Sequence, residues 1–460
     1  MASGDPAPDG VVVWTRVSGA DAVDGPVAVH WRVATDDALT DVVAEGDTQA
    51  DHDRDFTVQV AVSGLQPATT YWYGFLAAGV ASPMGRTRTA PIGPLERLRI
   101  GVVCCSHYET GFFNAYGRLA ERDVDVVLHL GDSIYEDRVR RSRAVRKHEG
   151  TERVVTLADY RGRYAQYRTD PDLGALLARH PVVAIWDDHE LAGNAWRHGA
   201  ARHDASTDGN WNARLEAATR AYREWMPLRL PDPADPLRLW RRVRLGNLGE
   251  ILLLDTRLAG RDRPAAGRRP VVRVWDRRRR LLGKAQWRWL EDQLRPSPPG
   301  WRLVVSQVMV APVAVAPGRL GINPGMWDGY PAERDRLLKL LAAHPGEAVV
   351  VSGDLHSSWA SELGPAVEVT APAVSAPTFA RALAPRVPGA HHVLEGILRV
   401  ANRHIRYLDT AHHGYVVLEL TPGQLEAQWW HVATVRRPDP AEYCAARFTV
   451  RRGEPRLAPG

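Results

Sequence analysis

Val126-Val127-Leu128-His129-Leu130-Gly131-Asp132-Ser133-Ile134-Tyr135 is a short apolar run that stops at a glycine and hands over to an acid and a phenol. Such a run, bounded by glycine, reads as a buried β-strand. Gly131 permits a sharp turn after Leu130, so the Asp132 carboxylate projects from the end of the sheet. Tyr135, three residues on, falls on the same side. Three other stretches repeat the pattern: Val102-Val103-Cys104-Cys105-Ser106-His107, Val182-Val183-Ala184-Ile185-Trp186-Asp187-Asp188-His189-Glu190 and Val349-Val350-Val351-Ser352-Gly353-Asp354-Leu355-His356. In open α/β sheets, sites are built at the carboxyl ends of strands. Four ends that offer Cys, Asp, Tyr and His point to a multinuclear metal site for hydrolysis.

Each stretch also has a plainer reading. Asp132 can cap a following helix, with Tyr135 in the core. Asp188 can be an N-cap, with Glu190 in the first helical turn. Three acids around one His repel unless cations or donors neutralise them. That favours Asp188 as a metal ligand and His189 as the group that faces substrate, with Asn194 near enough to add an amide. Asp354 and His356, two apart, share a face if the chain stays extended. Cys104 and Cys105 point opposite ways on a continuing strand, so at most one faces the site. Cys105 is either that ligand or a buried thiol. Thiolate and phenolate beside carboxylates suggest mixed metals, one iron with hard divalent partners. Arg257, closing Asp255-Thr256-Arg257, either clamps a phosphate or pairs with Asp255. Of His412 and His413, one reaches the site or both lie in a solvated loop.

A chain of 460 residues is too long for one ordinary core. Its 45% hydrophobic and 25% charged content fits a soluble globular protein. No apolar run of about 18 residues exists, so no transmembrane helix is expected. Met1-Ala2-Ser3-Gly4-Asp5-Pro6 lacks the charged and apolar regions of a signal peptide. The expectation is a cytoplasmic protein, or a chain that begins after a removed signal. With 59 basic against 54 acidic residues, the net charge of +5 is too small to indicate nucleic acid. Three cysteines, two of them adjacent, make no disulfide framework. Cys444 is expected to be a semi-buried thiol.

Residues 1–92 read as a small all-β domain. Leu65-Gln66-Pro67-Ala68-Thr69-Thr70-Tyr71 leads into an aromatic strand, as at the tyrosine corner of a fibronectin- or immunoglobulin-like sandwich. After the linker Ala90-Pro91-Ile92-Gly93-Pro94, strands alternate with helical stretches over 96–435, which argues an α/β catalytic domain. One of those helical stretches runs from Asp159 to Leu177. Residues 436–460, rich in Pro and Arg, read as a loosely packed tail.

Taken together, these segments resemble the alkaline phosphatase D (PhoD-like) metallophosphatases over essentially the whole chain. The resemblance rests on Ala2-Ser3-Gly4-Asp5-Pro6 with Trp14-Thr15-Arg16, on Cys105 to Tyr116, on His129 to Glu136 and on Trp186 to Glu190. Trp327-Asp328-Gly329-Tyr330-Pro331 and Ser352 to Trp359 extend it. It implies a metallophosphatase sandwich of two mixed sheets flanked by helices, preceded by the small β domain. It also implies one iron(III) and two calcium ions, other divalent ions being possible. By position, Cys105, Asp132 and Tyr135 would hold iron. Asp132 would bridge to calcium, with Asp188, Asp354 and His356 completing the set. His189 would contact the phosphoryl group; Asn194 and Arg257, read from the residues and not from the resemblance, are the expected phosphate contacts.

The expected function is therefore hydrolysis of phosphate monoesters or diesters by metal-activated water, with Asp132 and His189 as catalytic residues. One alternative is a phosphodiesterase on lipid head groups or cell-wall polymers, marked by an open cleft rather than a pocket capped by the segment from Phe379 to Leu408. The other is a non-catalytic polymer-binding protein. The expected partners are small phosphoester substrates, not nucleic acid, and the expected state is a monomer. Relatives of this family are usually secreted or held at the cell surface.

Overall fold

Strand Gly249–Leu253 shows how the architecture follows from the sequence. Ile251 and Leu253 face one core, while Leu252 and the following Leu254 face another. A strand that is apolar on both faces is covered on both, which is the state of a parallel strand in a layered α/β protein. The computed structural model describes residues 1–19, 25–139, 144–265, 274–295, 300–314, 323–344, 346–383 and 389–460.

Two mixed sheets form the centre. In the ten-stranded sheet, Leu98–Val103, Val126–His129 and Val182–Ala184 run parallel side by side. In the seven-stranded sheet, Gly249–Leu253, Trp301–Val305, Ala348–Ser352 and Val367–Thr370 run parallel. One continuous core joins Val102, Leu128 and Val183 of the first sheet with Leu253, Val305 and Val351 of the second. Helices Gly283–Gln293 and Pro331–Leu341 cover the outer face of the seven-stranded sheet through Trp287, Leu290, Leu337 and Leu341.

The N-terminal all-β part is a separate five-stranded sheet packed over strands Gly10–Arg16 and Thr57–Ser63. The N–H of Gln66 donates to the Tyr71 hydroxyl at 2.9 Å, the contact expected of a tyrosine corner. Those two strands also belong to the ten-stranded sheet, because Ala2–Ala7 pairs in parallel with Val182–Ala184 at Gly4 and Val182. The β part and the α/β part therefore share one sheet.

Three expectations need correction. Residues 436–460 are not a loose tail: Glu442–Arg451 pairs antiparallel with Gln424–Val432 along its length. The Arg-rich composition hides the alternation that ends in Phe448 and Val450, and Val450 is buried. Cys444 on that strand is exposed, not semi-buried. The stretch from Asp159 to Leu177 forms two helices, Leu157–Tyr167 and Pro171–Arg179. Pro171 cannot continue a helix, and the Asp170 side chain accepts N–H bonds from Asp172 and Leu173, starting a new one.

Candidate metal centre

The four strand ends meet. Donor atoms of Cys105, Asp132 and His356 lie within 4.8 Å of one another, as do those of Asp132, Asp188 and His189, and those of Asp187, Asp188 and Asp354. Tyr135 joins them, its hydroxyl donating to Asp132 at 2.9 Å and lying 3.1 Å from Nε2 of His356. The structure thus brings together every residue that the sequence nominated as a metal ligand.

The backbone is bent to achieve this. Cys105, Asp132, Asp354 and His356 have φ of 58°, 56°, 61° and 53°, and Asn194 has 57°. Non-glycine residues avoid this left-handed region, and where they adopt it the cost is about 1–3 kcal/mol each. Asp354 and His356 therefore do not converge through an extended chain; two left-handed residues turn both side chains inward. Gly131, at φ 109°, is required by space as well. A Cβ there would sit 2.4 Å from the backbone nitrogen of Asp187.

Side chains outside the nominated set hold the turns. The Glu190 carboxylate accepts N–H bonds from Asp132 at 2.9 Å, Ser133 at 2.6 Å and Asp187 at 2.9 Å. The N–H of His189 donates to Asp132 at 3.1 Å, and its ring stacks on Tyr135 with centroids 4.1 Å apart. Nδ1 of His189 lies 2.6 Å from Oε2 of Glu136. The N–H of Asn194 donates to Asp188, and the Asn194 side chain is exposed. Sequence reading gave Glu136 and Asp187 no role and placed Glu190 only in a first helical turn, but no helix forms there. Glu136 sits within a quoted motif, but nothing in its spacing predicts a partner 53 residues away.

The Arg257 guanidinium does not pair with Asp255. The backbone N–H of Arg257 bonds Asp255 instead, at 2.8 Å. The guanidinium is buried and pairs with Asp187, with Asp188 at 3.2 Å and with Asp354 at 2.6 Å. A fork held by three carboxylates is a counter-charge before it is a phosphate clamp. His412 pairs with Asp409 at 2.8 Å, and His413 lies against the Ala376 carbonyl at 2.8 Å, so neither joins the cluster.

The charge balance tests whether cations fit. Six carboxyl groups, those of Asp132, Glu136, Asp187, Asp188, Glu190 and Asp354, surround two cationic side chains, Arg257 and His189. Burial first, then the neighbouring Asp187 and Asp188, pushes the Asp132 carboxyl well above its ordinary range against the pull of His189. Burial pushes Asp187 up too, despite Arg257. Burial also raises the Cys105 thiol and the Tyr135 phenol, and Asp132 adds to both effects. Asp188 is held down to about 2, because Arg257 and His189 outweigh its burial. His189 is held well above its ordinary value: burial opposes the charge, but Glu136, Asp132 and Asp188 together prevail. A buried excess of acids with a thiol and a phenol beside it suits bound cations, which remove the repulsion and take the deprotonated donors.

Beside Glu136 opens a cleft of about 1130 Å³, lined by Asp137, Arg138, Arg146, Arg153 and Arg202 among others. No helix among the described residues is long and apolar enough to cross a membrane.

Known proteins resemble this chain. A model of the PhoD-like phosphatase family matches residues 100–429, and one of the PhoD-like phosphatase N-terminal domain matches residues 1–91. Alkaline phosphatase D of Bacillus subtilis (strain 168) is 33% identical over 476 aligned residues, covering 99% of this chain and 80% of that protein. A solved structure of PhoD superposes with a TM-score of 0.89 at 31% identity, covering 100% of this chain and 91% of that one. The two family models together span both the β part and the part that carries the centre, and the chain belongs to the PhoD-like phosphatase family.

Proposed function

We propose that this chain hydrolyses phosphate monoesters and diesters at the cluster around Asp132, with Cys105, Asp132, Tyr135, Asp188, Asp354 and His356 holding one iron(III) and two calcium ions. Membership of the family makes the chain a metal-dependent phosphoesterase; the metal identities and the residue roles are our reading. The left-handed backbone at four of the six proposed ligands carries it. Strain of that kind persists where the surrounding structure holds it for a purpose. Cys105 and Tyr135 suit iron(III), and the carboxylates suit calcium. Bound there, such cations supply positive charge for the phosphoryl oxygens and make water more acidic.

The protein's own side chains do the rest. His189, whose charged form Glu136 favours, would hydrogen-bond a phosphoryl oxygen or give its proton to the leaving oxygen as the P–O bond breaks. Asn194 offers its exposed amide to the phosphate. Arg257 keeps Asp187, Asp188 and Asp354 together, and a direct phosphate contact from it would require exchange with one of them. The cleft beside Glu136 favours a second reading, in which the substrate is a diester with a bulky arm, such as a lipid head group or a cell-wall polymer. Of the segment from Phe379 to Leu408 that would otherwise cap the site, residues 384–388 lie outside the described residues.

The test is metal content by mass spectrometry on protein purified without chelator, with hydrolysis of p-nitrophenyl phosphate and bis-p-nitrophenyl phosphate on the same sample. Iron and calcium with turnover support the reading, and the ratio of the two rates separates monoesters from diesters. Metal-free, inactive protein that cannot be reconstituted defeats it in favour of a binding role.

A further inference from the structure

A second group of metal-type donors lies apart from the Asp132 cluster. Donor atoms of Asp409, His412 and His431 are within 4.8 Å of one another, and none of the three belongs to the groups that contain Asp132, Asp188 or Asp354. They come from different parts of the fold. Asp409 ends strand Ile405–Asp409 of the seven-stranded sheet. His431 lies on strand Gln424–Val432 of the ten-stranded sheet. His412 sits in the connection between Ile405–Asp409 and Gly414–Leu420.

The geometry is organised around one carboxylate oxygen. Nδ1 of His412 lies 2.8 Å from Oδ2 of Asp409, and Nδ1 of His431 lies 4.0 Å from the same atom. The other oxygen, Oδ1, accepts the N–H bonds of Ala411 at 3.0 Å and His412 at 2.9 Å, which fixes the carboxylate plane. The two imidazoles are nearly parallel, 15° apart with centroids at 5.2 Å, and Tyr443 packs edge-on against both. The His431 side chain is 0% exposed. Its Nε2 lies 3.0 Å from the Ser358 hydroxyl, while its Nδ1 has no hydrogen-bond partner. A buried polar atom without a partner calls for an explanation. A gap of 4.0 Å is too long for a hydrogen bond. Two donors held by one tetrahedral ion through bonds of roughly 2.0–2.1 Å stand about 3.3–3.4 Å apart, so Nδ1 of His431 would close on Oδ2 by less than about 1 Å.

We propose that Asp409, His412 and His431 form a second metal site, for a divalent cation of the zinc class, that ties the two sheets together. Two imidazoles and one carboxylate suit zinc and its neighbours, whereas calcium and magnesium prefer oxygen donors alone. Ser358 plays the outer partner that such histidines commonly have: Nε2 carries the proton, and Nδ1 turns its lone pair to the cation. The His412 side chain is 44% exposed, which leaves a path for the ion from solvent.

The probe is zinc alone, added to the full chain with its catalytic metals already in place. Wild type and His412→Ala are compared for zinc content by mass spectrometry, for melting temperature and for p-nitrophenyl phosphate hydrolysis. Zinc taken up at the Asp132 centre is common to both proteins and cancels in the difference. Wild type is expected to hold one zinc more, to melt higher with zinc than without it, and to keep its activity in the variant. Loss of a direct ligand should weaken the extra site by more than the roughly 10–100-fold that outer partners cost. Equal zinc content and equal melting response in the two proteins overturn the proposal. So does calcium that raises the melting temperature as much as zinc.

Discussion

Nδ1 of His189 lies 2.6 Å from Oε2 of Glu136, and the backbone N–H of the same histidine donates to Asp132 at 3.1 Å. One residue thus joins a carboxylate outside the proposed ligand set to the carboxylate at its centre. The ring is fixed by that pair and by its stacking on Tyr135.

Glu136→Gln should expose the role of that pair. Burial works against the His189 charge, and Glu136 is the largest influence that opposes burial. Without it the folded-state pKa of His189 falls, so the imidazolium is lost at a lower pH than in wild type. The alkaline limb of the pH–rate profile should move to lower pH, and kcat above that limb should fall by about 100-fold. Metal content should be unchanged. A profile identical to wild type would remove His189 from the role of proton donor.

Arg257 is the buried cation between Asp187, Asp188 and Asp354. Arg257→Met removes the one guanidinium that pairs with all three acids. In chelator-treated protein the loss should be about 3–5 kcal/mol, the cost of breaking a buried ion pair from one side. In metal-loaded protein the loss should be smaller, because bound cations supply the missing charge. Denaturant titration of both forms measures it. Equal losses would mean that Arg257 and the metals do not share the same carboxylates.

Metal loading should release protons. Cys105, Tyr135 and Asp132 are all held well above their ordinary values by burial and by the charge of neighbouring acidic groups. Ligation takes the deprotonated form of each, so affinity should rise with pH. Calorimetric titration in two buffers of different ionisation enthalpy reads the number of protons released. The same apparent enthalpy in both buffers would show that the donors are already deprotonated or are not ligands.

Gly131→Ala should damage both stability and activity. The position has φ of 109°, and a Cβ would meet the Asp187 nitrogen at 2.4 Å. Backbone strain alone costs about 1–3 kcal/mol. The clash separates the Asp132 turn from the Asp187 turn, so kcat should fall further than the melting temperature implies. Full activity in a folded variant would mean that the two turns tolerate displacement.

Much of this protein is determined locally. Apolar runs ending in Gly131-Asp132, Asp187-Asp188 and Gly353-Asp354 fix three strands and place their acids at the carboxyl ends, because a continuous apolar run and the residues that end it are read from neighbours in the chain. The alternation of Ile251, Leu252, Leu253 and Leu254 likewise announces a strand covered on both faces. Tertiary structure decided what those ends do to one another. Sheet order set Arg257 among three carboxylates rather than against Asp255, brought Glu136 to His189, and carried Asp409 to His431 across two sheets. Asp354 and His356 converge only because the packed core holds both in a conformation that an isolated chain avoids. Charge partnership and strain depend on everything within a few ångströms, whatever its distance along the chain, so no local pattern could specify them.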